Sequence, residues 1–173
     1  GNTGIQLTES TLGGGWTIQG WFKFPDPATN NASGTWNYLC RMGGNGPNYE
    51  IGMYSNDNNI FRIKDNGTAQ QEVTFNFTPN QWYFISCGQS NTVGAVPGNL
   101  RLYHSTDAGS WNVQSSSSSA TSGDPGPLLK LFSNQTGGQN LNAHCGEIRI
   151  YNRELSTPEF LENFNATRGR YGV

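Results

Sequence analysis

The sequence predicts an all-β, antiparallel fold in a single domain, closed by a short C-terminal helix. Three observations carry that expectation. Apolar and polar residues alternate over short runs, and Gly, Asn, Asp and Ser separate the runs. Charge is sparse, at 13% of residues, while 23 Gly and 12% aromatics suit many strands joined by many turns. A helix start signal appears near the end of the chain, in "YNRELSTPEF". Five Trp, seven Tyr and nine Phe argue against disorder, which favours chains poor in aromatics. At 173 residues the expected organisation is one domain, 1–173, with a substantial core.

The first clear strand is "WTIQGWFKF", Trp16 to Phe24. Trp16, Ile18, Gly20, Phe22 and Phe24 share one face; Thr17, Gln19, Trp21 and Lys23 share the other. Trp21 indicates that the second face is not simply solvated. "PDPATNNASG" is a loop by composition. "WNYLCRM" follows, then a turn with Asn45-Gly46 and the strand "YEIGMYS". "IFRIK" is its expected partner. "EVTFNFT" places Val73, Phe75 and Phe77 on one face, and "NQWYFISC" (Asn80 to Cys87) is the most aromatic strand. "LRLYH" pairs with "SWNVQ" across "STDAG". Residues 114–127 are a low-complexity run read as a surface loop, because the chain beyond them is too short for a core of its own. "LLKLFS" and "CGEIRIYN" resume the strands, with Glu147, Arg149 and Tyr151 on one face of the latter.

The closing stretch has a mechanical reading. Ser156 and Glu159 are spaced as a capping box, with the Ser oxygen facing the Glu159 amide and the carboxylate reaching back to the Ser156 amide. Leu155 and Phe160 occupy the positions of a hydrophobic staple. Pro158 removes an amide that has no partner in a first turn. Phe160, Leu161 and Phe164 give an apolar stripe, so a helix near 157–164 is expected to dock on the sheet.

Several classes of function lack a signature. Net charge is -2 and the ten Lys and Arg are scattered, which speaks against nucleic acid. No apolar run approaches the ~20 residues of a membrane span. His104 and His144 stand alone, with no G-x-S-x-G elbow and no zinc spacing. Cys40, Cys87 and Cys145 are read as buried thiols, with one disulfide and a leftover thiol as the alternative. The chain opens Gly-Asn-Thr-Gly without an initiator Met, which suggests a processed product or part of a longer chain.

Three segments resemble the laminin-G-like, concanavalin A-like jelly-roll domains. These are Trp16, Thr17, Ile18, Trp21 and Lys23 in the first strand, and Asn80, Trp82, Tyr83 and Ile85 in the aromatic strand. The third comprises Gly146, Ile150, Tyr151, Asn152, Arg153 and Leu155, leading into the helix. The resemblance implies a jelly-roll β-sandwich. The ending "ENFNATRGRYGV", through Asn163 to Ala166, Arg168 to Arg170 and Tyr171, is similar to the close of such domains in structural proteins of tailed bacteriophages, cyanophages among them.

That resemblance implies a non-enzymatic virion surface domain, decorating a capsid or forming part of a fibre or tail appendage. Its expected location is the virion surface, after assembly in the cytoplasm of a bacterial host. Other virion proteins and further copies of the chain would be its partners. The alternative is a lectin module for glycans of the host surface, needing aromatics to stack on sugar rings and amides to bind hydroxyls. Trp36, Tyr54, Trp111 and Asn112 are the candidates, lying at strand ends or beside loops. Relatives of this fold that cleave β-glucans place paired carboxylates on one strand face. "EIRIY" offers Glu147 alone, and an ion pair with Arg149 is the expected role of that carboxylate. No cofactor is expected. Asp57 and Asp65 lie in oxygen-rich turns and are candidate calcium ligands, although turn chemistry accounts for them too.

Overall fold

The computed structural model describes residues 6–8, 15–25, 36–42, 49–54, 60–65, 70–74, 78–89, 100–105, 112–115, 128–132 and 141–173. The strands in chain order are β1 (Gln6–Thr8), β2 (Trp16–Lys23), β3 (Trp36–Met42), β4 (Tyr49–Tyr54), β5 (Ile60–Asp65) and β6 (Gln70–Thr74). They continue with β7 (Trp82–Gln89), β8 (Leu100–Ser105), β9 (Asn112–Ser115), β10 (Leu128–Leu131) and β11 (His144–Tyr151). Helix α1 (Thr157–Thr167) and a 3-10 turn at Arg168–Arg170 close the chain.

The strands form two antiparallel sheets. One has six strands in the order β1-β10-β3-β4-β5-β6, and the other five in the order β11-β2-β7-β8-β9. The expected hairpins are formed: β4 pairs with β5, and β8 with β9. The expected jelly-roll sandwich agrees with this arrangement. The three family-like segments fall on β2, β7 and β11, which are adjacent strands of the five-stranded sheet. They are therefore recognisable as scaffold.

Some boundaries differ from expectation. Strand β1 carried no sequence signal, being only three residues long. The "EVTFNFT" strand is displaced towards the N-terminus, to Gln70–Thr74, because register with β5 runs from Ile60↔Thr74 to Lys64↔Gln70. Phe75 and Phe77 lie outside the described residues. Gln114 and Ser115, expected to open a loop, complete β9 by pairing with Leu102 and Arg101. The rest of the 114–127 segment lies outside the described residues, as does Asn45-Gly46.

The core fills the space between the sheets. Trp16, Ile18, Phe22, Phe24, Tyr83, Ile85 and Cys87 come from one sheet side, and Leu39, Cys40, Ile51 and Leu131 from the other. Burial of each large apolar side chain contributes about 1.5–3 kcal/mol. Cys40 and Cys87 are free, buried thiols and pack as small hydrophobes; burial pushes both thiols up. Cys145 departs from the expectation, because it is exposed at the start of β11.

Close backbone approach requires glycine at positions 20 and 52. Register shifts between Cys145 and Glu147 of β11, and a Cβ on Gly20 of β2 would run into the Glu147 carbonyl. Register also shifts between Tyr38 and Cys40 of β3, where a Cβ on Gly52 of β4 would meet the Asn37 carbonyl. In each case a bulged strand presses its backbone onto its neighbour.

Candidate functional site

The outer face of the five-stranded sheet is occupied by the chain's own helix. The second face of β2 presents Thr17, Gln19 and Trp21, and all are buried. Phe160 and Phe164 of α1 pack with Trp21 and Phe84 in a second apolar cluster, flanked by Trp82, Tyr171 and Val173. The Trp21 ring lies 5.4 Å from Phe164 and 4.5 Å from Tyr171. Its Nε1–H donates to Thr167 Oγ1 at 2.8 Å. Thr17 ties the strand exit to the helix: its hydroxyl donates to the Arg153 carbonyl and accepts from the Leu155 N–H, both at 3.0 Å. Asn80, in the left-handed region at φ 62, donates its N–H to the Phe24 carbonyl at 2.9 Å and so holds the end of β2 beside β7.

The helix is longer than expected, ending at Thr167 rather than near residue 164. Thr167 extends the buried row of Phe160 and Phe164 by one further turn, and its bond to Trp21 fixes that turn. The capping box is present. The Glu159 carboxylate accepts the Ser156 N–H and the Ser156 hydroxyl, both at 2.8 Å. Arg153 also reaches it, with Nη2 at 2.6 Å. The Arg153 guanidinium and the two Ser156 donors hold the Glu159 carboxyl down at about 2. The cap is structural.

Glu147 has the expected partner. Its Oε1 pairs with Arg149 Nε, and Arg170 Nη1 stands 4.0 Å from Oε2. Arg149 Nη1 donates to Asn163 Oδ1 at 2.6 Å, and Asn163 Nδ2 donates to the Tyr151 hydroxyl at 3.2 Å. This polar row joins β11 to α1. Its carboxylate is committed to two guanidinium groups.

The six-stranded sheet has a different outer face. Cys40, Ile51 and Leu131 are cross-strand partners that point into the core. Strand alternation puts Tyr38, Arg41 and Lys130 on the outer face. Backbone register aligns Gln6, Lys130, Arg41, Glu50, Lys64 and Gln70 across the sheet. It likewise aligns Tyr38, Gly52, Arg62 and Glu72. Trp36 and Tyr54 are backbone partners where β3 begins and β4 ends. Arg41 and Lys130 are half-buried, and Tyr38 is only 6% exposed.

The candidate residues read from sequence are thus partly brought together. Trp36 and Tyr54, eighteen positions apart in the chain, are neighbours across β3 and β4. Asn112 opens β9 on the other sheet, opposite His104. Trp111 and Asp57 lie outside the described residues, and Asp65 ends β5 opposite Tyr49. Among the described residues there is no group of three or more His, Cys, Asp or Glu that could hold a metal ion. Arg41, Arg62, Lys64 and Lys130 escaped the sequence reading because they come from three separate strands. Only cross-strand register unites them.

A family model described as the Concanavalin A-like lectin/glucanases superfamily matches residues 1–159. The chain belongs to that superfamily. No curated protein sequence matches it. Among solved structures, the botulinum neurotoxin type G receptor-binding domain matches with TM-score 0.67 and 13% identity, over 96% of this chain and 40% of that one. The CBM40 module of the Ruminococcus gnavus IT-sialidase, solved with α2,3-sialyllactose bound, matches with TM-score 0.56 and 12% identity, over 92% of this chain and 95% of that one. A Trypanosoma rangeli sialidase mutant displaying trans-sialidase activity matches with TM-score 0.52 and 14% identity, over 85% of this chain and 22% of that one. At these identities the likeness concerns fold. Superfamily membership is compatible with binding and with hydrolysis, so function rests on the site.

Proposed function

We propose that this chain is a non-enzymatic, adhesive carbohydrate-binding module whose ligand lies on the outer face of the six-stranded sheet. The observation that carries this reading is the backbone pairing of Trp36 with Tyr54 across β3 and β4. Aromatic rings offer apolar faces to sugar C–H groups, and fixed polar groups orient the hydroxyls. The outer face of the five-stranded sheet is covered by α1. A CBM40 module of nearly the same length, solved with a bound sialyllactose, gives the reading a precedent in fold. The engagement of Glu147 by Arg149 and Arg170 weighs against glycosidic hydrolysis at β11.

The module's setting, in this proposal, is the surface of a bacteriophage virion assembled in bacterial cytoplasm, with other virion proteins and further copies of the chain as neighbours. Support comes from the residues Asn163 to Tyr171 and their likeness to phage structural proteins. A glycan array with the isolated domain tests the binding function. Signal on host-type glycans, lost in Trp36→Ala, is expected; silence across the array would overturn it. Particle imaging tests the setting separately, since absence from every virion component would remove it while leaving the lectin reading intact.

A further inference from the structure

Strand β11 ends the five-stranded sheet, with β2 as its strand neighbour. Of the four strands that end the two sheets it is the longest, with eight residues against three, five and four for β1, β6 and β9. A sheet edge carries N–H and C=O groups able to pair with a further strand.

The glycine contacts show which groups of β11 these are. In an antiparallel ladder, pairs that exchange hydrogen bonds alternate with closer pairs whose N–H and C=O groups turn away from each other. Gly20 and Ile148 form a close pair: a Cβ on Gly20 would stand 3.2 Å from the Ile148 Cα, and the carbonyl it would strike belongs to Glu147, one residue earlier. Ile18 and Ile150, two places along both strands, stand in the same relation. Gly88 of β7 confirms the alternation on the other side of β2, since it pairs with Thr17 but its Cβ would meet the Trp16 carbonyl. The N–H and C=O groups of Ile148 and Ile150 therefore point away from β2. Among the described residues nothing pairs with them there.

The side chains beside that edge are self-complementary. Glu147 and Arg149 flank Ile148, and their side chains keep 25% and 33% exposure. Two β11 strands laid antiparallel about Ile148 bring Ile148 opposite its own copy, with N–H to C=O bonds in both directions. The same register sets Glu147 opposite Arg149 of the second copy, twice. A register centred on Arg149 would oppose two guanidinium groups instead. One centred on Glu147 would oppose two carboxylates at the irregularity between Cys145 and Glu147. Bulges and charges blunt an edge against unspecific pairing, and here they leave one register favoured.

We infer that β11 pairs antiparallel with β11 of a second copy, centred on Ile148, to form a two-fold dimer with one continuous sheet. The interface is isologous, each copy giving Glu147 and receiving Arg149. Its axis runs perpendicular to the sheet, so both six-stranded sheets face the same way. The two glycan faces proposed above then address one surface together, and linked sites of that kind gain avidity. The pairing itself rests on β11 alone and is independent of the glycan reading.

Sedimentation equilibrium of the 173-residue chain at up to about 1 mM is expected to show monomer and dimer in exchange. Arg149→Glu turns both opposite-charge pairs into like-charge pairs and is expected to weaken the dimer about tenfold or more. The exchanged variant, Glu147→Arg with Arg149→Glu, restores complementarity and is expected to recover it. Amide hydrogen exchange reads the register: the Ile148 N–H should gain protection as the wild-type chain is concentrated, while those of β6 and β9 should not. A monomer at every concentration overturns the inference and leaves the glycan reading standing. A dimer indifferent to Arg149→Glu, or one that protects β6 or β9 instead, overturns it too. Circular dichroism confirms that the variants are folded; if Arg149→Glu is not, the exchange of Ile148 in the wild-type chain decides.

Discussion

Replacing Phe164 with Ala probes the packing that removes one sheet face from solvent. Phe164 is 0% exposed, with its ring 5.4 Å from Trp21 and 5.7 Å from Phe84. Phe→Ala in a core costs about 3–5 kcal/mol, the range reflecting how far the site can collapse. A single helix on a sheet surface can settle inward, so the lower half applies, about 3–4 kcal/mol. For a domain of this size each kcal/mol lowers Tm by about 2–4 °C, giving a fall of roughly 6–16 °C. Urea unfolding measures the free-energy loss and a thermal scan the fall in Tm, and coincidence of far-UV dichroism and Trp fluorescence tests two-state behaviour. Glu162→Ala, on the exposed side of α1, is the control and should stay within about 0.5 kcal/mol. A loss below about 1 kcal/mol for Phe164→Ala, with unchanged Trp emission, would refute the packing of α1 on Trp21.

Other outcomes follow from the same contacts. Thr167→Val keeps the shape but strands the buried Trp21 N–H, and should cost about 1–3 kcal/mol by urea unfolding. Glu159 is held at about 2, below its ordinary unfolded value, so its contribution is complete above roughly pH 4.3 and fades as pH falls towards 2. The stability gap between the wild-type chain and Glu159→Gln should therefore be small, since this carboxylate is exposed, and should vanish at the acid end of a pH series. Thiol titration of the native protein should count Cys145 promptly and Cys40 and Cys87 only on unfolding. Prompt reaction of all three would contradict the core assignment.

Local patterns carried most of the fold. The alternation in "WTIQGWFKF" placed Trp16, Ile18, Phe22 and Phe24 in the core, and the capping box placed α1. These signals lie within one element, where period and cap chemistry act alone. Strand β1 was silent because three residues are too few for a period. The end of α1 was missed because Thr167 is polar, and its burial depends on Trp21, far earlier in the chain. The candidate site was harder still. Trp36 and Tyr54 were named from strand ends, but their pairing, and the row from Lys130 to Lys64, come from register between strands distant in sequence. The resemblance motifs could not reveal it, since they lie on the other sheet.

Backbone amide shifts recorded while an isotopically labelled domain is titrated with an oligosaccharide bound on the array test the central claim most directly. Binding on the six-stranded face predicts shifts concentrated in β3, β4, β5 and β10, with α1 and the 3-10 turn at Arg168–Arg170 unchanged. Shifts concentrated in α1 and β11, or none at a saturating concentration, would contradict it.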